Sequence, residues 1–464
     1  MRDAIIVLVM LSLAAAAFWR PWMMTFTYLY ADLVQPQRLS YYLIQSIPVN
    51  FILGAAAVVL FIFDKKKNLR IGGIQVLLIL FTIWFTLTSN WALINDEQVW
   101  EKWDAAWKSV LFAGVFLPMV LSTRRRIEAV LCLLVLAIGL VTMSGGLKTL
   151  LGGGGYRTLE LIVDANKGIY EGSTISTVSM AIIPLLLYLY RNSPLVGRNR
   201  VTLLTVLFLI GCSVLVAIGV EARTGVVTGG MLVLLLFLRS RRKAVIAAGA
   251  VAAALVATPF LPQTFVERAS TITRPDEDTS TGARLEVWKW TLGFVQEHPL
   301  GGGFRVFRLN NIEITVAERD RDGNILGYRT VQQKARAFHS SYFEVLGEHG
   351  FPGILLYLSI IFFSLAGLWR LRRRYRKGPP DKIWASELAD ALIMAIIIYS
   401  VGGLFVGLAF QTTLYIFIGL GIALRQLMAA EAAAERRGAA PGRLRARLGL
   451  PPEPAGGAIP QPAQ

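Results

Sequence analysis

The sequence predicts an all-α polytopic membrane protein of about twelve transmembrane helices, with one large outer loop that carries short helices. Three observations predict it. Of the 464 residues, 55% are hydrophobic and the mean hydropathy is +0.54. The apolar residues fall in blocks of about 15 to 22, the length that crosses the hydrocarbon core of a bilayer. The net charge of +17 sits between those blocks in short clusters: Lys65-Lys66-Lys67 with Arg70, Arg124-Arg125-Arg126, Arg239 with Arg241-Arg242-Lys243, and Arg370 through Lys377. Cytoplasmic loops are biased in this way.

The candidate spans are 4–34, 42–63, 73–89, 105–121, 127–143, 174–190, 201–219, 224–238, 244–260, 350–369, 388–407 and 409–429. Arg20-Pro21 interrupts the first, since proline cannot continue a helical ladder. Residues 1–260 thus hold about ten spans with a cytoplasmic N-terminus. Residues 261–349 form the large outer loop, 350–429 the C-terminal spans, and 430–464 a cytoplasmic tail expected to be disordered. Met1-Arg2-Asp3 and the apolar run to Ala17 read as a first span rather than a cleaved secretory signal.

Orientation follows from charge. With Lys65–Arg70 inside, alternation places the basic loops 122–126, 191–200, 239–243 and 370–387 inside as well. The loops 90–104, 144–173, 220–223 and 261–349 fall outside. The first of these is acidic and aromatic (Asp96, Glu97, Glu101 and Asp104 beside Trp91, Trp100, Trp103 and Trp107), as suits an outer interface.

Several function classes are disfavoured. The clustered charge is no continuous basic stripe, so nucleic acid is not an expected partner, whereas anionic membrane lipids are. Cys132 and Cys212 both lie in apolar blocks and make neither a disulfide framework nor a CxxC site. Gly152–Gly155 lacks P-loop spacing. A polysaccharide or lipid transporter would show charged residues along the spans and matching broken helices, and neither is visible. Asp276-Glu277-Asp278 reads as a solvated acidic run rather than a metal shell. No metal or other cofactor is expected.

The loop 261–349 is too long to be a simple connection, and its Trp288, Trp290, Phe304, Phe307, Tyr328 and Phe338 speak for structure rather than disorder. From Arg284 to Val295, residues Leu285, Trp288, Leu292 and Val295 share a helical face. They predict an amphipathic surface helix ended by His298-Pro299 and Gly301-Gly302-Gly303. Arg223 stands at the outer end of a span, where basic residues are disfavoured; by itself it could snorkel to headgroups. His339 precedes the re-entering helix and by itself could be an interfacial histidine. His349 sits in the turn that re-enters the membrane, and His298 closes the surface helix. Asp164, Asn166, Lys167 and Glu171 of loop 144–173 are further candidates for substrate contact.

Three pieces of this pattern resemble the O-antigen ligase and polymerase superfamily of bacterial envelope glycosyltransferases. They are Arg223 in an Arg-Thr-Gly setting, Arg-Leu-Glu-x-Trp followed by His-Pro-Leu-Gly-Gly-Gly-Phe (Arg284 to Phe304), and His339 leading into Glu348, Gly350 and Gly353. Met-Arg-Asp at the start and Pro-Gln-Arg at 36–38 are similar to the ligases tied to exosortase-type systems. Ser340 stands where the family often has Asn. The resemblance implies an O-antigen ligase of the bacterial inner membrane with its active site facing the periplasm. Such an enzyme moves polysaccharide from undecaprenyl diphosphate to a lipid A–core hydroxyl. A glycan polymerase or a protein O-oligosaccharyltransferase would share the donor.

The residues suit that chemistry. A lipid-linked diphosphate leaving group needs positive charge, and Arg223 and Arg284 can supply planar, bidentate donors without a metal. The acceptor hydroxyl must lose a proton, and His339 carries the side chain whose ordinary pKa is closest to neutrality. Direct attack would invert the anomeric centre.

Overall fold

The computed structural model describes residues 2–36, 44, 47–152, 168–220, 222–257, 279–319 and 325–436. Helices dominate, and local chemistry sets their breaks. Helix α1 (Arg2–Trp19) stops before Pro21, which has no N–H to offer, and α2 (Met23–Val34) follows. Next come α3 (Val49–Phe63) and α4 (Gly73–Asn90). Asp96 caps α5 (Glu97–Trp107) by accepting from the Val99 N–H at 3.2 Å. The chain then runs through a π-helical stretch, Lys108–Phe116, into α6 (Leu117–Val120), and the Leu117 N–H reaches back to the Phe112 carbonyl.

The remaining helices are α7 (Arg124–Gly152), α8 (Gly172–Asn192), α9 (Arg200–Gly219), α10 (Arg223–Arg239), α11 (Lys243–Ala257), α12 (Thr279–Glu297), α13 (Ser341–Tyr375), α14 (Ile383–Gly402) and α15 (Thr412–Arg436). The core centres on α14, which packs against α8, α10, α13 and α15. Helix α15 seats against the π-helical stretch through Gly419, where a Cβ would lie 2.3 Å from the Ala113 carbonyl.

Among the described residues, seven helices are long and apolar enough to cross a membrane: Gly73–Asn90, Arg124–Leu151, Gly172–Asn192, Arg200–Gly219, Ser341–Tyr375, Pro380–Gly402 and Thr412–Arg436. They coincide with seven of the twelve expected spans. The other expected spans correspond to shorter pieces. Val7–Trp19, Val49–Phe63 and Lys243–Ala252 are short apolar helices, α10 has 17 residues, and 105–121 runs through the π-helical stretch. Hydropathy alone does not register these breaks. The protein is multi-pass.

The helices give the bundle two unlike poles. At one, the basic clusters meet: the Arg126 Nη2 donates to Asp64 at 2.9 Å, and Arg124 donates to the Asn192 carbonyl at 2.7 Å. Arg239 and Arg372 share Asp390 at 2.7 and 2.8 Å. At the other pole lie the end of α4 and the starts of α8, α10, α13 and α15.

That second pole carries what is described of the large loop. Two departures from expectation occur there. The loop holds a two-stranded antiparallel hairpin, β1 (Asn311–Arg319) with β2 (Ile325–Lys334), besides helix. Ile312 and Ile314 are buried while Asn311 and Glu313 are exposed, a period-two pattern that only a strand can satisfy. Helix α12 does form over the expected segment, but it buries Ala283, Val287, Thr291 and Val295. Leu285 and Leu292 are exposed. The hairpin and α13 approach too closely for the larger side chains: a Cβ on Gly347 would sit 3.2 Å from Thr291 Cγ2. The acidic run Asp276–Asp278, the residues Asp164, Asn166 and Lys167, Gly153–Gly155 and the tail from 437 lie outside the described residues. Helix α15 runs past the expected boundary at 430 to Arg436.

Candidate active site

Two glycine-containing segments are zipped together through their backbones. The Gly302 N–H donates to the Gly347 carbonyl at 3.1 Å, Gly303 to Glu348 at 2.8 Å, and Phe351 to Pro299 at 2.9 Å. Leu93, after α4, donates to the Gly302 carbonyl at 2.9 Å. The approach leaves no room for side chains. A Cβ at Gly301 would meet the Glu348 carbonyl at 2.5 Å, and one at Gly350 would meet the Pro299 carbonyl at 2.1 Å. Gly301, Gly303 and Gly350 also have φ of 86°, 83° and 65°, where glycine is at home. Gly350 kinks α13 into an outer segment, 341–349, and the long helix beyond.

This clasp joins the end of α12 to α13, and from nearer the start of α12 the Arg284 charge acts on His339. Trp288, one helical turn after Arg284, donates its indole N–H to the Phe338 carbonyl at 2.9 Å and stacks on Phe343 with ring centroids 4.8 Å apart. Phe338 is the residue before His339, so Trp288 pins the backbone that carries the imidazole. On the other side, the Ser341 N–H donates to the Gly403 carbonyl at 2.7 Å and its hydroxyl to Val406 at 2.9 Å. His339 itself adopts φ of 46°, a left-handed conformation unusual for a residue with a Cβ. Such outliers persist where neighbours over-determine them, commonly at functional positions.

The imidazole is exposed, and its pKa is held below the ordinary value. Partial burial is the largest cause and the Arg284 guanidinium the next, with Arg336 acting the same way; Glu171 and Glu344 oppose them. The shift favours the neutral imidazole, the form that accepts a proton. Glu171 reaches this neighbourhood from the start of α8, where it caps the Thr174 N–H at 2.7 Å. Arg223 opens α10 at the same pole. Its neighbour Gly225 packs so tightly on α8 and α9 that a Cβ would lie 3.4 Å from Ser176 and 3.0 Å from Ala217.

Behind His339 is a charged cluster. Lys102 of α5 donates to Glu344 at 2.6 Å and to both oxygens of Glu348 at 2.7 and 2.8 Å. The Arg305 N–H adds a further bond to Glu348 at 2.8 Å, and the Phe304 and Phe410 rings lie 5.4 and 5.5 Å from the ammonium. Burial pulls the Lys102 pKa down, but the two carboxylates outweigh it and the net direction is up. His349 is fully buried, with Nδ1 2.6 Å from the Thr88 hydroxyl and its ring 4.6 Å from that of Phe304, so it faces the core and not the site. His298 stacks on Phe294 at 4.4 Å at the end of α12. Among the described residues, no three His, Cys, Asp or Glu side chains are placed to share a metal ion.

Residues 206–358 match the family model described as O-Antigen ligase, and residues 1–194 match a family of unknown function. Residues 206–358 are thus similar to the O-antigen ligase family, and the similarity does not extend over the rest of the chain. A search of curated proteins found no match. The O-antigen ligase segment holds Arg223, Arg284 and His339 together with both halves of the glycine clasp. Lys102 and Glu171 come from the other matched segment, so both regions build this pole.

Of the three site residues expected from sequence, His339 and Arg284 are brought together, and Arg223 lies at the same pole. Sequence reasoning quoted Glu348 only as part of the motif after His339 and gave Lys102, Glu344 and Arg336 no role. Arg336 could have been noticed: it stands three residues before His339 as a further arginine in an outer segment. The Lys102 cluster leaves no local signal, because it joins positions 242 and 246 apart.

Proposed function

We propose that this protein is an O-antigen ligase: an inverting, metal-independent glycosyltransferase of the bacterial inner membrane whose active site faces the periplasm. In this reading, polysaccharide on undecaprenyl diphosphate is transferred to a hydroxyl of lipid A–core. The observation that supports it most is Arg284 acting on His339 so as to favour its neutral form, within the segment matched to the O-antigen ligase family.

His339 takes the proton of the acceptor hydroxyl as the oxygen forms its bond to the anomeric carbon. The bond from that carbon to the diphosphate breaks on the opposite face, and undecaprenyl diphosphate leaves with the electron pair. Arg284 and Arg223 hold the diphosphate and stabilise the negative charge it gains, an effect worth roughly 3 kcal/mol for one well-aimed donor. The left-handed backbone at 339 and the Trp288 bond to the preceding carbonyl hold the ring in place while this happens.

A glycan polymerase and a protein O-oligosaccharyltransferase use the same donor, and the acceptor separates them. The test is transfer by purified protein in detergent, with lipid-linked donor and lipid A–core acceptor. His339→Ala is expected to abolish product at unchanged protein yield, and Arg284→Lys to reduce it strongly, because an ammonium lacks the guanidinium fork. Wild-type activity in His339→Ala removes the proposed base. Product with only a growing glycan or a protein as acceptor replaces the ligase reading, and translocation without a new bond replaces the enzyme.

A further inference from the structure

At the basic pole, opposite His339, the start of α4 and the ends of α13 and α15 enclose a cavity of about 630 Å³. Its charge is unlike the rest of that pole. Arg124, Arg126, Arg239 and Arg372 are each committed to a carboxylate. Arg370, Arg374 and Arg425 line the cavity, and among the described residues none of them is bonded to a carboxylate. Arg374 lies 5.4 Å from the centre of the Tyr375 ring, which leaves its donors available.

The sequence makes room for this arrangement. Arg425 is half-buried on α15 and lies across α13 at Gly367, where a Cβ would come within 2.5 Å of its Nη1. Arg370 is near enough for the two like charges to interact. Like charges gathered around one cavity are unfavourable unless an anion joins them. The rest of the wall is apolar: Leu77, Phe363 and Ile422 line the cavity, and Phe363 is 46% exposed on the outer surface of the bundle. A volume of this size suits an organic ligand rather than an inorganic ion alone.

We propose that this cavity binds an anionic phospholipid from the leaflet at the basic pole. The headgroup phosphate is held by Arg370, Arg374 and Arg425, and an acyl chain lies along Leu77, Phe363 and Ile422. Guanidinium groups match phosphate oxygens in pairs and keep their charge beside lipid, which makes them the suitable donors here. The site is independent of the reaction at the opposite pole.

Native mass spectrometry of the delipidated full-length protein in neutral detergent tests this, with phosphatidylglycerol, phosphatidylcholine or inorganic phosphate added. Phosphatidylglycerol is expected to bind with defined stoichiometry, and the other two are not. Arg374→Gln, an exposed substitution that leaves the packing alone, is expected to weaken binding about tenfold. Arg370→Gln with Arg425→Gln weakens it further. Lys65→Gln with Lys66→Gln, which removes charge from the same pole outside the cavity, leaves binding unchanged. Equal binding of phosphatidylcholine overturns the proposal. So does undiminished binding by both cavity variants, an equal loss in the Lys65 and Lys66 control, or competition by inorganic phosphate alone.

Discussion

Removing the Lys102 ammonium is the sharpest perturbation of the scaffold behind His339. Glu348 has no exposed side-chain surface, and Lys102 makes two of its three close hydrogen bonds, at 2.7 and 2.8 Å. Lys102→Met keeps the length and apolar stem of the side chain, and leaves the Glu348 carboxylate with only the Arg305 N–H. It also leaves Glu344 beside Glu348 with nothing between the two negative charges. An opposite charge at about 4 Å contributes roughly 4 kcal/mol at an effective dielectric of 20. Orphaning one member of a buried pair costs about 3–5 kcal/mol. The expected loss is therefore about 3–5 kcal/mol in the SDS-unfolding free energy of the purified protein. Glu348→Gln combined with Lys102→Met removes the orphan charge, so the double variant is expected to recover about 2 kcal/mol relative to the sum of the singles. A Lys102→Met loss below about 1 kcal/mol, or singles that simply add, would refute the idea that this pair ties α5 to the outer segment of α13.

Two further outcomes follow from the geometry. The His339 pKa lies below its ordinary 6.5, and Arg284 is its second-largest cause. Under the proposed function, activity should then fall as pH drops through that depressed value. The group's contribution to stability is present above about 6.5 and is lost as pH falls through the folded-state pKa. Arg284→Gln should raise the imidazole pKa towards 6.5, read by NMR of labelled histidine with His339→Ala for assignment; an unchanged titration would deny the contact. Gly350→Ala should lower the unfolding free energy by about 3 kcal/mol or more, because its Cβ meets three backbone atoms at 2.1, 2.5 and 2.6 Å at φ of 65°. Gly293→Ala on α12 serves as the control, since its Cβ meets nothing within 4 Å and alanine favours the helix. Equal behaviour of the two variants would mean the clasp is looser than its distances imply.

What could be read from the sequence were features with a local signature. Pro21 announces its own break, the basic clusters mark one pole, and the paired Arg284 and His339 motifs point to residues that the fold does bring together. What could not be read depends on partners far along the chain. Leu285 and Leu292 look like the buried face of α12 because they are large and apolar. The face that is buried is set by how near the hairpin and Gly347 come, and only Ala283, Val287 and Thr291 fit there. Lys102 lies in a segment that reads as acidic and aromatic interface, and nothing nearby discloses that its partners are Glu344 and Glu348.

The glycines of the matched segment make sense on the same terms. Their run at 301–303 looks like a flexible hinge, yet Gly302 and Gly303 donate to the 347–348 backbone and the Gly302 carbonyl receives Leu93. A segment with so many interlocked backbone groups has little freedom left, and Lys102 closes it from the side of α5. Rigidity at this point is what the proposed chemistry requires. A base that must meet both an acceptor oxygen and a leaving diphosphate held by Arg284 gains from being positioned before either substrate arrives, since a misplacement of about 1 Å can cost a hundredfold in rate. The positive φ of His339 is consistent with this: a strained residue stays in place only because Trp288, Ser341 and the clasp hold the chain on both sides of it.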